Sequence, residues 1–64
     1  MTIYDNVKKR ADSMNMAISE VESRAEIANG TIGGWRTSRP FAETLQKVAK
    51  VLNCKIEDLL KEDV

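Results

Sequence analysis

Residues 16–35 read Met16-Ala17-Ile18-Ser19-Glu20-Val21-Glu22-Ser23-Arg24-Ala25-Glu26-Ile27-Ala28-Asn29-Gly30-Thr31-Ile32-Gly33-Gly34-Trp35. Apolar residues recur here at steps of three and four, the period of a helix and not of a strand. Val21 and Ala25 face inward on a helix predicted over about Ile18–Arg24. Ile32 and Trp35 share a face of another over about Asn29–Arg36. Ala25-Glu26-Ile27 forms the turn between them, and two short helices across so tight a turn suggest a helix-turn-helix. Ser19 and Glu22 match the spacing of a capping box. A start at Ser19 leaves a very short helix, so the start is placed near Ala17 or Ile18.

The same period extends outward. A first helix is predicted over about Ile3–Ser13, with the stripe Ile3, Val7, Ala11 and Met14, and with Thr2 and Asp5 spaced to cap its start. Thr37-Ser38-Arg39-Pro40 is the clearest loop. A fourth helix, about Ala42–Leu52, carries Leu45, Val48, Ala49 and Leu52, and Asn53 suits a left-handed cap. A fifth, about Ile56–Lys61, carries Ile56, Leu59 and Leu60, and Glu62-Asp63-Val64 reads as a frayed tail. The expectation is an all-α, five-helix bundle in one domain over 1–64, with its core over about 3–60.

At 64 residues the core must be thin, and one Cys supplies no disulfide to staple it. The composition, 42% hydrophobic and 31% charged, is that of a globular chain and not of a disordered one. With no His and no Cys pair, no zinc site or acid–base constellation is in view. The glycines form no phosphate-cradling pattern with a following Lys. No enzyme activity, metal, cofactor or small-molecule ligand is therefore expected. No apolar run suits a membrane span and the first residues do not resemble a signal peptide, so the expected location is the cytoplasm. Net charge is zero, which removes the simplest case for nucleic acid but not a local basic patch.

Residues 16–35 resemble the helix-turn-helix core of the XRE class, the lambda-repressor/Cro-like superfamily. Within it they are similar to the Gram-positive branch of phage and mobile-element regulators that reads roughly I-S-x-L-E-x-x-A-G-x-S-N-G-T-I-x-x-W. Pro40 through Leu60 is similar to that family's last two helices. The resemblance implies a recognition helix over about 28–36 in the major groove. It places Asn29, Gly30, Thr31, Gly33 and Gly34 toward the groove, Ala28 at the start of that helix, and Ile18 where relatives touch phosphate or a flanking base. This chain departs from the pattern at Glu26, where the family has a turn Gly, and at Ala17, Ala28, Phe41 and Lys55, where it has Ser or Thr caps. Ser19 and Asn29 are candidates to take over two of those caps by shifting a helix start.

Charge is unevenly spread. Residues 27–42 hold Arg36 and Arg39 and no acid; Lys8, Lys9 and Arg10 face only Asp5 in the first turns. Acids collect over 20–26 and 53–64. Arg36 and Arg39 are candidate phosphate contacts, with a solvated loop as their plainer role. Asn29 is either an adenine reader or a helix cap, since one amide cannot do both at once. Trp35 is expected in the core, and Cys54 as an inert thiol. The expected partner is an operator in double-stranded DNA, bound by a homodimer formed through the fifth helix and tail, where Leu59 or Leu60 lacks a partner. One alternative is the N-terminal domain of a longer repressor. Another, favoured by the neutral charge and the three glycines, is a protein-binding module of antirepressor or antitoxin type.

Overall fold

The computed structural model describes residues 2–61. Its helices are α1 (Ile3–Ser13), α2 (Ile18–Arg24), α3 (Ala42–Val51) and α4 (Ile56–Leu60), with one 3-10 turn at Gly33–Arg36. The all-α expectation holds, but the α-helices number four among the described residues. The helix predicted over about Asn29–Arg36 is instead a run of turns over 29–32 leading into the 3-10 turn. Gly30 explains the difference: at φ 93° it leaves the helical region, and Gly33 and Gly34 weaken helix propensity in the next turn. The predicted frayed tail, 62–64, lies outside the described residues.

The helix starts are unevenly capped. At α1 the Asp5 N–H donates to Thr2 Oγ1 at 3.2 Å and the Thr2 N–H donates to Asp5 Oδ2 at 3.0 Å, completing the predicted box. The Ala17 and Phe41 side chains give α2 and α3 no cap, and α2 begins at Ile18 without the shift that would have made Ser19 its cap. At α4 the Lys55 ammonium has nothing to accept with. Half a box remains there, the Lys55 N–H donating to Asp58 Oδ2 at 3.2 Å. The backbone N–H of Thr2 in one case and of Lys55 in the other holds Asp5 and Asp58 below the ordinary carboxylate value of 3.8.

The helix ends, by contrast, share one device. After α1, α2 and α3 a residue in the left-handed region follows the cap: Asn15 at φ 56°, Glu26 at 58° and Asn53 at 53°. Each stop carries the paired hydrogen bonds of a Schellman motif. The Met16 N–H donates to the Ala11 carbonyl at 2.9 Å, Ile27 to Glu22 at 3.0 Å and Cys54 to Ala49 at 3.0 Å. The inner bonds run from Asn15 to Asp12, Glu26 to Ser23 and Asn53 to Lys50. Asn tolerates this backbone, whereas Glu26 is strained in it.

The core draws on every element: Val7 and Ala11 from α1, Val21 and Ala25 from α2, Leu45, Val48, Ala49 and Leu52 from α3, and Leu59 from α4. Met16, Ile32 and Trp35 join from the connections. α1 packs on α4 and on the 3-10 turn, and α2 packs on α3. Two polar side chains one turn apart on α1 close the far helices. The Asn6 amide donates to the carbonyls of Leu59 at 2.8 Å and Lys61 at 2.6 Å. Arg10 Nε donates to the Leu52 carbonyl at 3.0 Å and its Nη2 to that of Asn53 at 3.3 Å. Unmade carbonyls at the ends of α3 and α4 thus find donors on α1. Leu59, expected as an unpartnered dimer residue, is 1% exposed and belongs to the core; Leu60 is 44% exposed.

Two outcomes follow for stability, both readable in Trp35 fluorescence. Glu26→Gly relieves left-handed strain of roughly 1–2 kcal/mol, against about 0.4–1 kcal/mol of added chain entropy in the unfolded state. At the middle of those ranges the net gain is about 0.8 kcal/mol, so the variant should melt roughly 3–6 °C higher; a lower melting temperature contradicts the strain. Asp5 and Asp58 titrate lower folded than unfolded, so their contribution is complete above pH 3.8. It declines as pH falls below that value and is gone once pH passes the lowered folded value. Asp5→Asn should flatten part of this acid limb.

Candidate nucleic-acid interface

The segment after α2 begins without a side-chain oxygen, because Ala28 stands where a cap would. Its first backbone N–H groups need partners all the same. They find one in Glu22. The Gly30 N–H donates to Glu22 Oε2 at 3.0 Å and the Ile32 N–H donates to the same oxygen at 2.9 Å. Glu22 is 3% exposed and is the one charged side chain buried among the described residues. A buried carboxylate is tolerated when charge-assisted bonds replace its water, and here two backbone donors converge on it. The inner side of the segment is fixed by Ile32, fully buried, and by Trp35.

Sequence reading missed this role for Glu22, having considered it only as a partner for Ser19. The signal was present. Ile18, Val21, Glu22 and Ala25 stand at i, i+3, i+4 and i+7, so the acid occupies an inward position of the α2 stripe. An acid there must be paired.

With its inner side held, the segment presents the rest outward. Ala28, Asn29, Gly30, Gly33, Gly34, Arg36 and Arg39 are all exposed, and Thr31 is half-buried. No atom lies within 4 Å of where a Cβ would stand on Gly33 or Gly34, so the backbone there is open to a ligand. The Asn29 side chain has no hydrogen bond among the described residues, and Glu22 performs the capping that Asn29 was a candidate for. Its amide is therefore available. The Thr31 hydroxyl donates to the Ala28 carbonyl at 2.7 Å, which leaves its methyl and acceptor lone pairs. Ile18 packs half-buried against the core at the start of α2 and can offer only apolar contact.

The loop that follows is tied back to Gly34, whose carbonyl accepts from the Ser38 N–H at 3.1 Å and the Ser38 hydroxyl at 2.9 Å. Arg36 lies over the Tyr4 ring, 4.2 Å from its centroid, and donates from Nη2 to the Tyr4 hydroxyl at 2.9 Å. Arg36 and Arg39 line a notch of about 280 Å³ together with Thr37, Ser38 and Lys61. Neither arginine has an ion pair among the described residues, whereas Lys61 pairs with Asp58 at 3.5 Å.

The basic run on α1 is otherwise employed. Lys8 pairs with Asp12 at 2.7 Å, and Arg10 closes α3. Only Lys9 of the three is without a partner among the described residues. On α2, Glu20 pairs with Arg24 at 2.9 Å. Unpaired positive charge next to this exposed segment thus comes from Arg36 and Arg39. Behind them lies an apolar edge: Phe41 is 84% exposed and Leu60 44%. Leu60, not Phe41, lines a shallow groove of about 230 Å³ together with Ile3, Arg39, Pro40, Ala42, Leu45 and Ile56. Burial pushes the half-buried Cys54 thiol up, away from the reactive thiolate. Among the described residues no acid, Cys or His cluster could hold a metal, and no helix is long and apolar enough to cross a membrane.

A family model, the Cro/C1-type HTH DNA-binding domain, matches residues 6–62. The match spans both α2 and the exposed segment after it. No curated protein and no solved structure matches the chain.

Glu22 can be tested directly. Glu22→Leu keeps the bulk but strands two donors, and should cost about 2–6 kcal/mol of stability at roughly 1–3 kcal/mol per unmade bond. Glu22→Gln keeps an acceptor oxygen and should lose less than half as much. In the wild type the Ile32 amide should exchange with solvent far more slowly than the amides of Gly33 and Gly34. Equal exchange at the three sites contradicts the carboxylate anchor.

Proposed function

Because the chain belongs to the Cro/C1-type HTH DNA-binding family, we propose that it represses transcription by docking the segment 28–39 into the major groove of an operator. One observation carries this reading: an exposed edge without acids, held from behind by Glu22 and flanked by Arg36 and Arg39. Asn29 reads adenine, which offers a donor and an acceptor to one amide. Gly30, Gly33 and Gly34 let the backbone approach closely. Ala28 and the Thr31 methyl make apolar contact with thymine, and Ile18 packs against the flanking backbone. Arg36 and Arg39 take phosphates and set the register.

Two subunits bind a pseudo-palindrome, with half-sites about 34 Å apart. The half-exposed Leu60 and the mostly apolar groove it lines support a homodimer on that side. The likeness of residues 16–35 to the Gram-positive phage and mobile-element branch supports a repressor of that type. With two unpaired arginines per reading edge, affinity per subunit is modest and pairing raises it. The exposure of Phe41, 84%, favours a second reading, a module that binds protein instead of DNA.

Binding to DNA from the flank of its own gene separates the two. Arg36→Ala and Arg39→Ala should each lower the slope of log affinity against log salt by about 0.9. Asn29→Ala should cost about 1–3 kcal/mol on the operator and leave binding to random DNA unchanged. Binding without salt dependence, or none at all, supports the protein-binding module. Sedimentation equilibrium should find a dimer that Leu60→Glu dissociates; a monomer at all concentrations removes the dimer.

A further inference from the structure

We propose that Tyr4, on the first turn of α1, is a positioning residue for DNA binding: it seats the Arg36 guanidinium at the phosphate-facing end of the reading segment. This rests on the DNA-binding reading above. The ring lies 4.2 Å from the Arg36 guanidinium carbon, and the hydroxyl accepts from Nη2 at 2.9 Å. Stacking and hydrogen bond act together on one side chain, so the guanidinium is confined in both tilt and reach.

The seat leaves the charge usable. Tyr4 is neutral, and its bond engages one of five guanidinium N–H donors. The nearby acid, Asp5, accepts from the Thr2 N–H at 3.0 Å and attracts Arg36 only at longer range, without a direct ion pair. A carboxylate in place of Tyr4 would neutralise the arginine; an aromatic ring holds it without doing so. Tyr4 is itself half-buried and packs against the core. The position of Arg36 is thereby referred to α1, which also caps α3 and α4. A long exposed side chain otherwise loses rotamer freedom when it grips a phosphate, and the ring removes part of that loss in advance.

Tyr4 is distant in sequence from the reading segment and carries no charge, so composition and motif give no hint of the role. Its effect should also differ in kind from that of Arg36. Loss of Arg36 removes a cation and changes the salt slope. Loss of Tyr4 leaves the cation in place and changes affinity alone.

The test is a double-mutant cycle on a random-sequence DNA duplex, comparing wild type, Tyr4→Leu, Arg36→Ala and the double variant. Tyr4→Leu should weaken binding by roughly two- to fivefold, a part of the ordering cost of one rotamer-rich side chain, at an unchanged salt slope. Arg36→Ala should lower the slope by about 0.9, and the double variant should bind as Arg36→Ala does. If Tyr4→Leu melts below the wild type, Tyr4→Phe replaces it, keeping the ring and losing only the hydroxyl bond, with a smaller loss expected. Wild-type affinity in the Tyr4 variant, or losses that multiply in full in the double variant, overturns the seat. Wild-type affinity and slope in Arg36→Ala overturns both the seat and the phosphate role assigned to Arg36.

Discussion

The Glu22 carboxylate, accepting from the backbone of Gly30 and Ile32, is the contact on which the reading edge depends. Three glycines in five residues give that segment little helix propensity of its own, and Ala28 gives it no side-chain cap. Without a partner from α2, the buried Ile32 N–H would stand unpaired. With that partner, a weak segment is fixed on its inner side and open on its outer side. The same carboxylate joins α2 to the segment, so the two halves of the helix-turn-helix are tied together. Ile32 and Trp35 complete the attachment from within the core.

The remaining architecture is held by α1. A thin core cannot alone fix four short helices, three of which start without a side-chain cap from the N-cap residue. Asn6 and Arg10 satisfy carbonyls at the ends of α4 and α3. Val7 and Ala11 fill the core between them, and Tyr4 reaches Arg36 on the opposite side. Three Schellman stops then turn the chain tightly enough for helices this short to pack. The same arrangement decides the electrostatics: Arg10 and Lys8 serve the fold, and the reading edge keeps Arg36 and Arg39. Zero net charge is thus compatible with one basic edge, because many of the other charges are paired or used as caps.

Most of the fold was legible because it follows from period and punctuation. The bounds of α1 and α2 come from apolar steps of three and four, and the left-handed residue at Asn53 comes from its place after a stripe. The third helix was misread because Ile32 and Trp35 carry a helical spacing that a 3-10 turn also satisfies, while Gly30 breaks the chain before it. Of the site, the proposed contact positions 28–30, 33, 34, 36 and 39 are exposed, whereas Ile18 and Thr31 are half-buried. What stayed hidden was contact between residues far apart in sequence. Arg10 reads as one of three basic residues until its guanidinium is seen on the α3 carbonyls. Tyr4 reads as a helix residue until Arg36 is seen above it. Glu22 was the exception that could have been found, since it interrupts an apolar stripe.

In the proposed complex, residues 28–39 face DNA while α2 and its buried acid support them from behind. The most direct measurement is a titration of the isotope-labelled chain with operator DNA, followed amide by amide in NMR spectra. The largest shifts are predicted at Asn29, Gly30, Gly33 and Gly34 and through Arg36 to Arg39, with α3 interior amides such as Val48 nearly still. Shifts centred on Phe41 and Leu60 with a silent segment 28–39 would contradict it, and would place the working surface on the apolar edge instead.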